Sequence, residues 1–198
     1  PTDARKSMNI TYVPKALLAN AMLVTGLRAK KILIEKGRAV GVEGEATRGG
    51  KKLTVRARAV VLAGGAIPTP MFLLSQGIAN SSGEVGRNLS LHPATAVSAL
   101  LDERVEGYKA IPQGYCCDEF HRDGILLLGA SAPLDVGANM FFMNGRRLMD
   151  TMESYDRVVS FGAMIEDEAR GRVRRGPTGA PFITYFLGAH EVERLRKG

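Results

Sequence analysis

The stretch from Val60 to Leu74 constrains this chain most. An apolar run, Val60-Val61-Leu62-Ala63, breaks at Gly64-Gly65 and resumes as Ala66-Ile67-Pro68-Thr69-Pro70-Met71-Phe72-Leu73-Leu74. A run without polar alternation predicts a strand covered on both faces, here over Ala59 to Ala63. Gly64 and Gly65 admit positive φ and let a second backbone or a ligand come close. Thr69 followed by Pro70 predicts a helix start, with a hydroxyl cap and proline at the first helical position. A strand that passes through glycine into a helix N-terminus offers free N–H groups and a positive dipole end, which together suit phosphate. The same pattern also describes an ordinary strand-to-helix turn whose glycines serve packing alone.

At 198 residues the chain has room for one large domain or two small ones. No apolar stretch is long enough to span a bilayer. The polar start Pro1-Thr2-Asp3-Ala4-Arg5-Lys6 does not read as a secretory signal, and a cytoplasmic location is the expectation. Pro1 in place of methionine predicts a processed or cut end. The net charge of +7 comes from separate clusters: Lys30-Lys31, Lys51-Lys52, Arg146-Arg147 and Arg172 to Arg175. Aromatics do not interleave with them, so nucleic acid is not an expected partner. These cations read as solvated surface, or as charge turned toward an anionic cofactor or an acidic partner segment. The only cysteines are the neighbours Cys116 and Cys117, with no second pair to build a zinc site. They read as two small buried or half-buried side chains in a reducing compartment, or as a vicinal redox pair.

Along the chain, Pro14 opens a helix through Asn20, and Met22 to Thr25 is a short strand. Ala29 to Glu35 and Ala39 to Glu43 are strands joined by a tight turn at Lys36-Gly37-Arg38. A second turn at Thr47 to Lys51 leads into Leu53 to Ala57, which completes a β-meander ahead of the strand at Ala59. From Ile78 the chain turns irregular, through Val85-Gly86-Arg87-Asn88-Leu89-Ser90-Leu91-His92-Pro93. Strands follow at Thr95 to Leu101, Gly124 to Gly129 and Arg157 to Met164, with a short helix at Met149 to Tyr155. Gly171 to Arg174 and Phe182 to Tyr185 form a hairpin across Gly176-Pro177-Thr178-Gly179. A last helix starts at Ala189. The expected architecture is thus α/β in residues 1–94 and mostly antiparallel β in residues 95–198, an α+β or α/β chain overall.

The order of elements resembles the glucose-methanol-choline (GMC) family of flavin oxidoreductases. Tyr12-Val13-Pro14-Lys15-Ala16-Leu17 is similar to the segment before the family's adenine-contacting strand, and Leu23 to Leu33 to that strand. Arg38-Ala39-Val40-Gly41-Val42-Glu43 is similar to the return strand. Gly65 to Pro70, with Leu73-Leu74 and Gly77-Ile78, resembles the family's second sequence signature. Gln76 and Ala79 stand where the family usually has serine and glycine. Val85 to Pro93 is similar to the loop that follows, and bacterial members acting on alcohols resemble the chain most. The resemblance implies part of a Rossmann-like flavin-binding domain with a β-meander, then an incomplete, mostly antiparallel substrate domain. It implies FAD as cofactor and a small-molecule alcohol as substrate, with a hydride passing to the flavin while a histidine removes the hydroxyl proton.

Carried onto this sequence, the resemblance implies that adenine rests on backbone groups of the strand containing Ala29. Ala63, Gly64 and Gly65 would lie against the adenosine diphosphate, with Thr69 nearby. His92 would belong to a structural loop near the flavin and would not be the base. No Gly-x-Gly-x-x-Gly opens a first βαβ unit, and the family's carboxy-terminal segment with the catalytic histidine is not in the sequence. The expectation is an internal portion of a longer enzyme, with no catalytic residue and no metal ligand of its own, inactive alone and binding flavin poorly. The alternative is a non-catalytic β-rich binding or subunit-interaction module. Apolar surface left bare by the missing segments would drive self-association.

Other residues read plainly. His121 sits in a polar surface turn and His190 on the exposed side of the last helix. Glu166-Asp167-Glu168 is a solvated turn joining two strands, or a carboxylate pair for acid–base or metal chemistry. Met140-Phe141-Phe142-Met143 is core, or the lining of an apolar substrate pocket.

Overall fold

The computed structural model describes residues 6–198; the polar start at Pro1 to Arg5 lies outside the described residues. The chain forms two compact units, one ending at Ala63 and one running Gly64–Gly198.

The first unit holds a short helix, α1 (Tyr12–Leu18), and a three-stranded antiparallel meander, β1 (Leu27–Glu35), β2 (Arg38–Ala46) and β3 (Lys52–Arg56), in that order across the sheet. Pro14 falls in the first turn of α1, where its missing N–H has no intrahelical partner to lose. The pair Glu35↔Arg38 closes a two-residue hairpin over Lys36 and Gly37, with φ of 49° and 77°. Left-handed backbone at both turn positions matches the twist of the strands it joins. Ala29 faces Gly44 and Lys31 faces Glu43, so Lys30 is the extra residue of a bulge. Among the described residues of this unit, Ile32 is the buried apolar side chain.

Two expected strands are corrected. Met22 to Thr25 is irregular and exposed, Met22 at 93%. Ala59 to Ala63 is not a buried strand either; Val61 is 86% exposed. The physical reason is the same for both. A strand exists only as half of a pair, and no strand among the described residues pairs with these segments. Without a ladder or a cover, apolar composition alone does not hold an extended segment in place.

The second unit begins with α2 (Pro68–Gln76) and continues into a four-stranded sheet built from β4 (Ala94–Leu100), β5 (Cys116–Cys117), β6 (Ile125–Ala130) and β7 (Val158–Ile165), ordered β4-β7-β6-β5. Between β6 and β7 lie α3 (Leu134–Met140) and α4 (Gly145–Glu153). The helix expected at Met149 thus begins four residues earlier and ends by Glu153. A hairpin, β8 (Arg172–Arg175) and β9 (Pro181–Thr184), leads into α5 (Ala189–Lys197). Every strand pair among the described residues is antiparallel, so the mixed α/β content rests on antiparallel sheets. None of the described helices is long and apolar enough to cross a membrane.

The core of this unit sits where α5 covers the sheet: Ile125, Ala163 and Ile165 are buried, with Leu127 and Leu195 packed against them. Arg194 fixes the helix by donating from Nε to the Asp123 carbonyl (3.1 Å) and from Nη1 to the Glu166 carbonyl (2.9 Å). Away from α5 the same sheet face is open, with Phe161 and its cross-strand partner Val97 exposed. Met140, Phe142 and Met143 are exposed too, which corrects their reading as core. Only Phe141 of that cluster packs on an aromatic ring, edge-on to Tyr155 at 6.3 Å. Cys116 and Cys117 are both exposed free thiols, not half-buried side chains, because β5 is a two-residue strand at the sheet edge.

Stability should follow this distribution. Ile165→Ala removes a side chain that is 2% exposed and is expected to cost about 2–4 kcal/mol. Val97→Ala, at an exposed position, should change stability by less than about 0.5 kcal/mol. Urea denaturation midpoints of the two variants check the contrast.

Candidate functional site

The glycine turn is built differently from its sequence expectation. The helix α2 begins at Pro68, so Pro68, Thr69 and Pro70 occupy its first three positions and the cap residue is Ile67. Thr69 therefore does not cap the helix. Its hydroxyl instead accepts the N–H of Gly64 at 3.1 Å and closes the turn. The two prolines have no N–H, the Thr69 N–H is donated to the Gly65 carbonyl, and the Met71 N–H to Ile67. The helix end thus keeps its dipole but offers no free amide of its own.

The donors that remain belong to the turn before it. The amides of Gly65, Ala66 and Ile67 have no acceptor among the described residues. Gly65 has φ of +100°, which disfavours any side chain there. A Cβ on Gly64 would come within 3.2 Å of the Thr69 hydroxyl. Three consecutive amides left without an acceptor beside a helix start suit an anionic oxygen.

His92 lies in the irregular segment before β4. Its backbone is pinned on both sides: the Leu91 N–H donates to Asp167 Oδ2 (2.8 Å) and the Pro93 carbonyl accepts from the Ile165 N–H (2.9 Å). The imidazole itself is exposed and has no hydrogen-bond partner among the described residues. Ala29 is exposed on β1, opposite Gly44 and just before the bulge at Lys30. Ala63 is exposed at the end of the first unit, while Gly64, Gly65, Thr69 and His92 belong to the second.

The residue that sequence reasoning missed is Asp167, which was expected in a solvated turn. Its carboxylate accepts four hydrogen bonds: Ser90 Oγ (2.5 Å) and the Ala169 N–H (3.2 Å) on Oδ1, the Leu91 N–H (2.8 Å) and the Tyr185 hydroxyl (2.7 Å) on Oδ2. It joins the His92 segment, the β7–β8 connection and the end of the β8–β9 hairpin. Burial works against its charge, but the donors from Leu91, Ser90, Tyr185 and Ala169 prevail and hold the carboxyl at about 2. The Tyr185 hydroxyl is pushed up to about 12 by burial, by its bond to Asp167 and by the charges of Asp167 and Glu191. Beside it Glu191, 1% exposed, accepts the N–H of Gly188 at 2.8 Å and of Glu168 at 3.0 Å. The neighbour Glu168 is paired with Arg170. His121 lies in an exposed 3₁₀ turn and His190 is exposed on α5, as their sequence settings suggest. No group of three or more His, Cys, Asp or Glu that could hold a metal occurs among the described residues.

A pH dependence follows. Unfolded aspartate titrates near 3.9, above the native value, so the unfolded state takes up the proton first on acidification. The contribution of Asp167 is present above about pH 5 and is lost as pH falls from about 4 to about 2. Tyr185 acts at the other end, stabilising below about pH 10 and losing its contribution as pH rises toward 12. Asp167→Asn should cost about 1–3 kcal/mol at pH 7, with the difference from the parent narrowing toward pH 2. Urea midpoints measured across that range check both the sign and the window.

Comparison with known proteins places these elements. Residues 1–94 match the family model described as GMC oxidoreductase. An uncharacterized GMC-type oxidoreductase of Mycobacterium tuberculosis is 33% identical over 99% of this chain and 31% of its own length. A long-chain-alcohol oxidase of Arabidopsis thaliana is 26% identical over 98% of this chain and 28% of its own length. A 2-methyl-1,2-propanediol dehydrogenase of Mycolicibacterium austroafricanum is 32% identical over 55% of this chain and 21% of its own length. The chain spans about a third of the length of the GMC-type relatives it matches. Residues 1–94 thus carry a GMC oxidoreductase family match, and the likeness to GMC-type relatives runs on across the rest of the chain.

Proposed function

We propose that this chain supplies the adenosine-diphosphate side of an FAD site in an oxidoreductase that acts on an alcohol. The observation that carries the reading is the turn at Gly64–Ile67, which lies inside the family match and leaves three amides free for an anion. The residues fit the group. The amides of Gly65, Ala66 and Ile67 would donate to diphosphate oxygens, and the absence of Cβ atoms at Gly64 and Gly65 leaves room for close approach. Thr69 holds the turn by taking the Gly64 N–H. Ala63, with its small side chain, would lie against the same diphosphate.

Ala29 would present the backbone of β1 to the adenine, and the short side chain keeps that face open. His92 would support the flavin region from a segment whose backbone Asp167 fixes. When bound, FAD supplies the acceptor for the hydride of the alcohol carbon. This chain's share is binding and orientation; none of its three histidines is assigned as the proton acceptor. Without a Gly-x-Gly-x-x-Gly in its sequence, the chain by itself would hold flavin weakly and would not turn over substrate. The relatives named for alcohol oxidation support an alcohol substrate. A cytoplasmic setting remains part of this reading. The second reading, a subunit-interaction module, draws on exposed apolar side chains such as Phe142 and Val61.

The test is FAD titration followed by quenching of flavin fluorescence. Gly65→Val forces a branched side chain into left-handed backbone, and should weaken binding roughly tenfold or more, about 1.4 kcal/mol. Equal affinity of parent and variant counts against the reading. A defined oligomer with no flavin affinity favours the module.

A further inference from the structure

The cation cluster Arg172 to Arg175, read from the sequence as solvated surface or as charge turned toward an anionic cofactor or an acidic partner segment, lines a cavity of about 340 Å3 in the second unit. Arg87, in the loop after α2, lines the same cavity, so arginines from two separate segments border one concavity. Its apolar lining comes from Leu74, Val85 and Val173. Val173 is 2% exposed, and its N–H donates to the Gly86 carbonyl at 2.6 Å, tying β8 to the loop that carries Arg87. The arginines therefore stand on a fixed backbone.

The charges around this cavity do not balance. Arg87 meets Glu84 at 3.7 Å across an exposed pair, a contact of little strength. Arg174 is engaged by neutral groups, donating to the Thr184 hydroxyl at 3.2 Å and lying 5.7 Å from the Phe182 ring centre. Arg172 and Arg175 have no ion-pair or hydrogen-bond partner of their side chains among the described residues. Among the described residues, no carboxylate lines the cavity. Like charges around one cavity repel one another, and an anion bound there lowers that cost.

We propose that this cavity binds a phosphate group, free or carried on a small organic ester. Guanidinium forks match the oxygens of phosphate in paired hydrogen bonds. A monocarboxylate would neutralise one of the four cations; a phosphate dianion has the charge and the oxygens to engage several. The volume exceeds what a bare phosphate fills, and the apolar floor gives the body of an ester a surface to rest on. The proposal does not rest on flavin binding, since its residues and its test are separate from the Gly64–Ile67 turn.

The test is calorimetric titration of the full chain, without flavin, at constant ionic strength. The probes are inorganic phosphate, phenyl phosphate and acetate. Phosphate is expected to bind at least about tenfold more tightly than acetate, a gap of about 1.4 kcal/mol. Phenyl phosphate binding more tightly than inorganic phosphate assigns the site to an ester, and equal affinity assigns it to free phosphate; both support the proposal. Arg172→Gln with Arg175→Gln should weaken phosphate binding at least about fivefold. The pair Arg172→Lys and Arg175→Lys should recover part of it. The surface pair Arg146→Gln and Arg147→Gln should leave it unchanged. The proposal is overturned if phosphate and acetate bind alike, or if the Arg146/Arg147 variant loses as much affinity as the Arg172/Arg175 variant. Circular dichroism of each variant separates loss of the site from loss of the fold: lost binding with an unchanged spectrum supports the site. Binding retained in a folded Arg172/Arg175 variant overturns it.

Discussion

The second unit turns on a single carboxylate. Asp167 receives two backbone N–H groups and two hydroxyls, and its partners come from three places in the chain: Ser90 and Leu91, Ala169, and Tyr185. Hydrogen bonds to an ionised acceptor are worth more than neutral ones, and these hold segments that have little else in common. The antiparallel bridge between Leu89 and Gly171 runs beside them, with N–H to carbonyl distances of 2.9 and 3.0 Å in both directions. The irregular loop before β4 thus has an assigned place although it has no strand or helix of its own. Glu191 performs a related task one step away, accepting the Glu168 N–H while closing the start of α5. Two acids order the connection that a sequence pattern presents as a charged turn.

Local rules were legible and pairing was not. The meander could be read because its signals are internal to it: alternation, a Lys-Gly turn in left-handed backbone, and a return strand within reach. The β8–β9 hairpin was readable for the same reason, with its glycines and proline between two short extended runs. Val60–Ala63 has stronger apolar character than any of those strands and still forms none, because strand identity is a property of a pair. Asp167 was illegible for the same reason in side-chain form. Its bond to Ser90 spans 77 positions, and nothing in Glu166-Asp167-Glu168 distinguishes the middle acid from its neighbours.

The turn at Gly64 shows how a correct motif can be misread in its parts. Thr69 and the prolines mark a helix start, and a helix does start there. The expected phosphate donors were the free amides of its first turn, yet two of those positions are proline and the third amide is used internally. Proline favours the start of a helix because it has no N–H to leave unsatisfied, and that same property removes it as a donor. The anion-binding capacity moves into the preceding turn, where Gly65 takes a backbone angle of +100°. A nest of amides in a glycine turn needs no helix donor to be effective.

The cations divide along similar lines. Several of those the sequence scatters are matched once folded: Lys30 meets Glu45 across the meander at 3.4 Å, Arg56 pairs with Glu35, and Lys109 reaches Glu106 at 2.8 Å. Such exposed pairs add little stability, but they neutralise charge locally. The Arg172–Arg175 run is different, because β8 brings it beside Arg87 and no acid among the described residues lines the cavity they share. Arginines in a strand place alternate side chains on opposite faces, so a run of this kind ordinarily disperses its charge. Here three arginines of that run border the same cavity as Arg87. Net charge in the sequence counts these groups equally, whereas only the fold decides which of them are left with no opposite charge.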